Sequence, residues 1–128
     1  MTLCSGAFDG VHAGHVRYLR AARQLDPWDT LIVAVAPDAY IQRAKHRTPR
    51  WSQADRVETV WALGVVDWAV AQREDTVAET IRTLKPTRFV KGADWRDALP
   101  TDVLHACQET QTAIVFVDTP GRHVRETR

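Results

Sequence analysis

The sequence predicts an α/β fold: a Rossmann-like, open parallel sheet of about five strands with helices on both faces. Short apolar runs alternate with amphipathic segments along the 128 residues, which is the pattern of βαβ units. The apolar run at residues 31–36 has no polar alternation, so we expect a strand that is covered on both sides, as central parallel strands are. The candidate strands are residues 2–5, 30–36, 66–71, 87–90 and 113–117.

Helices are expected between these strands. Apolar residues recur at helical spacing in segments 16–23, 57–61 and 77–84. Ser52 with Asp55 and Thr76 with Glu79 resemble capping boxes, in which a hydroxyl and an acid three residues later satisfy the first amides of a helix. A further short helix is predicted from residue 101 or 102 to residue 107.

The charge balance argues against some classes of partner. Lys and Arg number 17 against 16 Asp and Glu, whereas a general nucleic-acid binder usually has a clear basic excess. We therefore expect no nucleic-acid partner, although a small anionic ligand needs only local positive charge. No apolar stretch approaches the roughly 18 residues that span a membrane, so we expect no membrane partner and a cytoplasmic location.

Length and cysteine content indicate a single domain whose cysteines are reduced. A mass of 14.5 kDa fits a single domain over residues 1–128, with residues 119–128 as a flexible tail. Cys4 and Cys107 form no C-x-x-C pair, and Cys4 lies in an apolar run. Both are therefore expected to be reduced thiols in the core.

The most informative segment is residues 6–15, GAFDGVHAGH, between the first strand and the first helix. Parallel sheets bind ligands at such turns. His12 and His15 are three residues apart where the helix begins, so both imidazoles can lie near its positive end, and Gly14 leaves room for a ligand. Free amides and imidazoles together suit phosphate, and the segment therefore indicates phosphoryl chemistry.

Two other interpretations of the histidines are open. They could be ordinary residues at a helix start, one capping and one solvated. Histidines three apart can also bind zinc, but no Cys or acidic cluster completes a ligand set at the usual spacing, so no metal ligand is assigned.

The ten residues match every fixed position of G-x-F-D-x-x-H-x-G-H, and the chain thereby resembles the cytidylyltransferase-like nucleotidyltransferase superfamily. Residues 31–38, 66–68, 74–76 and 90–95 look like the adenylyltransferase domain of bacterial ADP-heptose synthase. Glycerol-3-phosphate cytidylyltransferase is a more distant likeness.

The resemblance implies an enzyme that transfers a nucleoside monophosphate from ATP or CTP to a small phosphorylated metabolite, such as a sugar or polyol phosphate. Pyrophosphate is released, and Mg²⁺ accompanies the triphosphate. The two histidines are expected to stabilise the transition state of a direct displacement, because in-line chemistry at phosphorus mainly needs positioning and charge stabilisation. A homodimer is also implied.

The site residues follow from the same resemblance. His12, His15 and Lys45 are expected to be catalytic, with Arg47 or Arg50 assisting Lys45. Substrate is expected to contact Asp9, directly or through Mg²⁺, and also Asp38 and Arg56. Nucleotide contacts are expected from Gly6, Ala7, Phe8, Gly14, His15, Lys91, Gly92, Asp94, Thr119, Gly121 and Arg122.

Each of these roles has a structural alternative. Asp9 could satisfy amides in an Asx turn, and Asp38 could favour the dipole of a helix starting at Pro37. Lys45 could lie in a solvated basic loop, and Arg56 in a surface ion pair. The five tryptophans, Trp28, Trp51, Trp61, Trp68 and Trp95, are expected to be partly buried framework.

The sequence departs from the superfamily pattern near its end. Where the family shows R-T-x-G-x-S-T-T, residues 118–125 read DTPGRHVR, in which only Thr119 and Gly121 fit. Arg122 and Arg125 could hold phosphate instead of the missing hydroxyls. A nucleotide-binding or regulatory module without catalysis is therefore the second hypothesis. A fragment of a class I aminoacyl-tRNA synthetase is less favoured, because the chain has no K-M-S-K-S-like loop.

Overall fold

Five apolar segments form one parallel sheet in the computed structural model, which describes residues 1–118. The strands are β1 (Thr2–Gly6), β2 (Leu31–Val35), β3 (Trp68–Ala71), β4 (Arg88–Gly92) and β5 (Ala113–Val117). Their order is β3-β2-β1-β4-β5, and every neighbouring pair is parallel. The predicted fold class is confirmed. All five residues of β2 are buried, as the apolar run predicted.

The helices are α1 (Ala13–Leu25), α2 (Asp38–Lys45), α3 (Gln53–Trp61), α4 (Ala78–Leu84) and α5 (Thr101–Thr110), with a short 3-10 turn at Ala93–Trp95. The predicted cap at Ser52 is confirmed, because its hydroxyl accepts from the amide of Asp55 at 3.2 Å. The predicted cap at Thr76 is wrong. The Thr76 hydroxyl instead donates to the Asp102 carboxylate at 2.5 Å, and Val77 precedes α4 without a side-chain cap.

The helices cover both faces of the sheet. Alternate strand residues point to opposite faces, so Leu3 and Cys4 belong to different apolar clusters. On one face α1 and α3 pack against β1, β2 and β4, with Leu19 and Val60 fully buried. On the other face α4 and α5 pack around Phe89.

Several expectations about single residues are now decided. Cys4 and Cys107 are free and buried, as expected. The expectation that the tryptophans are framework is wrong for Trp28, Trp51, Trp61 and Trp68, which are 46–97% exposed. Trp61 and Trp68 pack on each other at the surface, with ring centroids 5.4 Å apart.

No helix within residues 1–118 is long and apolar enough to cross a membrane. The predicted tail, 119–128, lies outside the described residues.

The strand order changes direction between β1 and β4, which is where ligands bind in open α/β sheets. The ladder between these strands runs only from Thr2 to Cys4 on β1. Beyond it, the Tyr18 hydroxyl accepts from the amide of Ser5 at 3.3 Å and donates to the carbonyl of Val90. A crevice therefore opens at the carboxyl ends of the two central strands.

Truncation of the buried leucine in β1 should test the core. Leu3→Ala is expected to lower the free energy of unfolding by about 2–5 kcal/mol, because Leu3 is fully buried. Leu104→Ala is the matched control, since Leu104 on α5 is 43% exposed and should cost roughly 0.5 kcal/mol. Urea denaturation of both variants measures the difference. Equal losses would contradict the assigned core.

Candidate active site

A cavity of about 750 Å³ lies over the carboxyl ends of the strands. It brings together most of the predicted site residues, namely Gly6, Ala7, Phe8, Asp9, His12, Gly14, His15, Lys45, Lys91, Gly92 and Asp94. Arg56 lines a separate cavity of about 280 Å³, which shares Phe8 with the first, and Asp38 lines neither. Thr119, Gly121 and Arg122 lie outside the described residues. The β1–α1 turn and the end of β4 therefore face one space.

The backbone at the start of α1 orients both histidines. The amide of Gly14 donates to Nδ1 of His12 at 3.0 Å, and the amide of His12 donates to Nδ1 of His15 at 3.1 Å. The ring centroids are 4.0 Å apart. An Nδ1 that accepts a hydrogen bond carries no proton, so each neutral ring has its proton on Nε2. His12 thus caps the helix, as one alternative expected, and also lines the cavity.

Burial keeps His15 neutral. Burial, followed by the nearby charges of His12 and Lys45, lowers the pKa of His15 from 6.5 to about 4. At pH 7 this imidazole is an uncharged donor of a hydrogen bond through Nε2. Lys45, at the end of α2, lines the same cavity as His15.

Glycines allow the tight turn before α1. A Cβ on Gly6 would lie 2.9 Å from the ring of Phe8, so only glycine fits beneath it. Phe8 has a φ of 52° and Gly10 a φ of 104°, in the left-handed region that side chains rarely adopt. The Phe8 ring is 3% exposed, and its centroid is 5.1 Å from that of His15. Phe8 thus supports the imidazole through packing.

Lys91 forms part of the cavity floor. Its Nζ donates to the Ser5 carbonyl at 3.2 Å and to the Ser5 hydroxyl at 3.4 Å, and it lies 4.4 Å from the ring centroid of Trp95. Burial lowers the pKa of Lys91 to about 8. A Cβ on Gly92 would lie 2.7 Å from Oδ1 of Asp94, so glycine allows that carboxylate to fold back. A largely protonated cation therefore lies under the cavity at pH 7.

Asp9 and Arg56 are bonded to the protein itself. The Asp9 carboxylate, 2% exposed, accepts from the Arg47 side chain at 2.6 Å and from the amides of Arg50 and Trp51 at 2.9 and 3.0 Å. The Asx turn expected as an alternative is wrong, because the amides that Asp9 satisfies are 41 and 42 residues away rather than nearby. Contacts of Asp9 and Arg56 with substrate stay predictions.

The surface ion pair expected as an alternative for Arg56 is wrong, because its side chain is 1% exposed. It donates to three backbone carbonyls and, at 2.6 Å, to Asp38 at the start of α2. Asp38 itself is half exposed, so a contact between Asp38 and substrate stays a prediction.

Two floor residues were missed by sequence reasoning. Tyr18 lines the cavity and bridges β1 to β4, and Ser5 holds Lys91. Tyr18 lies three residues after His15 and therefore on the same face of α1, which was the available signal. Within residues 1–118 no three His, Cys, Asp or Glu side chains are grouped to hold a metal ion, so the zinc interpretation finds no ligand set there.

An open parallel sheet whose order reverses beside a helix start carrying two imidazoles defines an α/β protein with a crevice at the carboxyl ends of its central strands. Residues 3–122 match the family model described as cytidylyltransferase-like, and the chain belongs to this family. This match favours the nucleotidyltransferase interpretation over a synthetase fragment.

Curated relatives and solved structures are consistent with that family. The bifunctional protein HldE of Nitrosococcus oceani is 46% identical over 96 residues, which cover 74% of this chain and 20% of that protein. HldE of Campylobacter curvus is 43% identical over 103 residues, covering 78% and 22%. The chain thus spans about a fifth of the length of these relatives.

Among solved structures, the lipopolysaccharide core biosynthesis protein of Thermoplasma volcanium superposes with a TM-score of 0.77 at 26% identity, covering 94% of this chain and 97% of that one. A protein of unknown function from Archaeoglobus fulgidus superposes with a TM-score of 0.68 at 21% identity, covering 99% and 96% of the two chains, and shows the fold alone.

The lowered pKa of His15 should be visible in solution. A proton NMR titration is expected to place its midpoint near pH 4 rather than 6.5. As the pH falls from 6.5 towards 4, the unfolded chain binds a proton that folded His15 does not bind, so stability decreases in this window. His15→Asn should lack that part of the decrease. A His15 midpoint at or above 6.5 would contradict the described burial.

Proposed function

We propose that this chain is a nucleotidyltransferase that transfers a nucleoside monophosphate from ATP or CTP to a small phosphorylated metabolite and releases pyrophosphate. The observation that carries the proposal is the histidine pair, held through Nδ1 at the start of α1 inside the cavity. Membership of the cytidylyltransferase-like family supports it.

The reaction would be a direct displacement. An oxygen of the acceptor phosphate forms a bond to the α-phosphorus while the bond from that phosphorus to the bridging oxygen of pyrophosphate breaks. Negative charge spreads over the phosphoryl oxygens during this step. The Nε2 hydrogens of His12 and His15 are preorganised donors for that charge, and the amides of α1 add a partial positive charge.

Positive charges around the cavity would balance the triphosphate. Lys45 and Arg50 line one wall, and Lys91 lies in the floor. Lys45 is exposed at the end of α2 and can reach a phosphate that approaches His15. Since Arg47 is paired with Asp9, Arg50 is the better candidate to assist Lys45.

The cavity fits a magnesium ion that arrives with the triphosphate rather than one held by the protein alone. Asp94 offers an exposed carboxylate at its edge, whereas Asp9 is occupied by three donors and Asp75 is paired with Arg43. Mg²⁺ bound in this way keeps most of its ligands from phosphate and water, and it would neutralise the β- and γ-phosphates.

The substrates are proposed from similarity. The likeness to the adenylyltransferase domain of ADP-heptose synthase favours ATP over CTP and a sugar or polyol phosphate as acceptor. A homodimer and a cytoplasmic location are proposed on the same basis. The near-equal numbers of basic and acidic residues support a small-molecule substrate rather than a nucleic acid.

The altered segment at residues 118–125 favours a second candidate function. There the family's hydroxyl residues are replaced by His123 and Val124, so the chain could bind nucleotide without turning it over. Calorimetry that shows nucleotide binding, without pyrophosphate release across a broad panel of acceptors, would select this candidate.

Pyrophosphate release from ATP or CTP with sugar and polyol phosphates tests the proposal. His15→Asn is expected to lower kcat by about 10²–10³-fold, because Asn retains an acceptor at the position of Nδ1 but loses the donor at Nε2. The matched control is His105→Asn, which lies exposed on α5 outside the cavity and should keep full activity. Unchanged turnover in His15→Asn would reject the catalytic role.

A further inference from the structure

The loop of residues 46–52, called the strap here, joins α2 to α3 and is tied to the β1–α1 turn by one carboxylate. Oδ2 of Asp9 accepts from Nη1 of Arg47 at 2.6 Å and from the amide of Arg50 at 2.9 Å. Oδ1 accepts from the amide of Trp51 at 3.0 Å. The side chain of Asp9 is 2% exposed, so water barely competes for these bonds.

The strap is also held from its other side. Nε of Arg56 donates to the carbonyl of Trp51 at 3.0 Å, and its Nη1 donates to the carbonyl of Ala7 at 2.8 Å. Both backbone polar groups of Trp51 are thus bonded, the amide to Asp9 and the carbonyl to Arg56. These bonds fix the strap to the turn that carries the two histidines.

The strap begins directly after Lys45. His46, its first residue, ends α2 in the left-handed conformation with a φ of 54°. Within the described residues α2 makes two side-chain ion pairs. Asp38 at its start binds buried Arg56, and Arg43 near its end binds Asp75 in a pair that is exposed on both sides and contributes little. The end of α2 that carries Lys45 is therefore tied to the β1–α1 turn through the strap.

We propose that Asp9 is a positioning residue that holds Lys45 against His15 through the strap, and that its carboxylate does not contact substrate. Three donors already occupy the carboxylate, which leaves it poorly suited to bind a sugar hydroxyl or Mg²⁺. Burial alone would raise the pKa of Asp9, but the bonds from Arg50, Arg47 and Trp51 hold it below its usual value. The carboxylate is thus charged at neutral pH. The catalytic part of this inference rests on the proposed function, whereas the structural part does not.

The structural part is tested by NMR titration of His15. In Lys45→Ala the pKa of His15 should rise, because one nearby positive charge is removed. Asp9→Asn loses the charge that binds Arg47 and places an amide group against the donors of the strap. The rise in the His15 pKa that Lys45→Ala causes should therefore be much smaller in the Asp9→Asn background than in the wild type, a comparison in which the direct effect of the lost Asp9 charge cancels.

Two outcomes would overturn this inference: an unchanged His15 titration in Lys45→Ala, or a rise on Lys45→Ala that is as large in the Asp9→Asn background as in the wild type. Arg47→Gln keeps the Asp9 carboxylate and both amide bonds, so it serves if Asp9→Asn does not fold. In the Arg47→Gln background the rise that Lys45→Ala causes should also be reduced, and an undiminished rise would count against the inference. Asp97→Asn, an exposed carboxylate outside the cavity, is the control and should change nothing.

The catalytic part is tested by the same variants in the pyrophosphate assay. Asp9→Asn and Lys45→Ala should each lower kcat by roughly 10–100-fold, and the double variant should be no slower than Lys45→Ala alone. Multiplied losses would mean that Asp9 acts independently of Lys45 and would overturn the inference. A wild-type chain without turnover would instead reject the proposed function, and the titration would still decide the role of Asp9.

Discussion

The backbone amides at the start of α1 hold both imidazole rings through Nδ1, and the chemistry available to the crevice depends on these two bonds. They fix the tautomer, so that the hydrogen of each neutral ring is on the nitrogen farther from the backbone. They also place both rings at the positive end of a helix dipole. The glycines and Phe8 in the preceding turn allow this arrangement through their packing and their backbone conformation.

A second set of bonds joins the loop of residues 46–52 to the β1–α1 turn. Two buried charged side chains, Asp9 and Arg56, bond to a loop that lies more than forty residues away in sequence from the β1–α1 turn. Several hydrogen bonds share each of these buried charges, so the loop and the turn are coupled through more than one contact. The crevice is therefore built from a helix start, a loop and the carboxyl ends of strands that hydrogen bonds join to one another.

The fold and the centre of the site follow from local sequence patterns. The unbroken apolar run of β2 and the ten-residue turn could be assigned because strand periodicity and helix starts are local properties. The bonding partners of Asp9 could not be predicted, because its three donors come from a distant segment and nothing near residue 9 indicates them. The same holds for Thr76, whose hydroxyl bonds to Asp102 across the α4–α5 contact instead of capping its own helix. The exposed tryptophans were missed because tryptophan is usually buried in a chain of ordinary composition.

The early end of the β1–β4 ladder has a consequence for how such a crevice can diversify. Beyond Cys4 the two strands are joined through the hydroxyl of Tyr18 and the amine of Lys91 rather than through main-chain pairing. A replacement at either position would reshape the bottom of the crevice while the register of the sheet stays intact. Descendants of one ancestral scaffold could thus acquire different ligands by single substitutions, without the cost of rebuilding a strand.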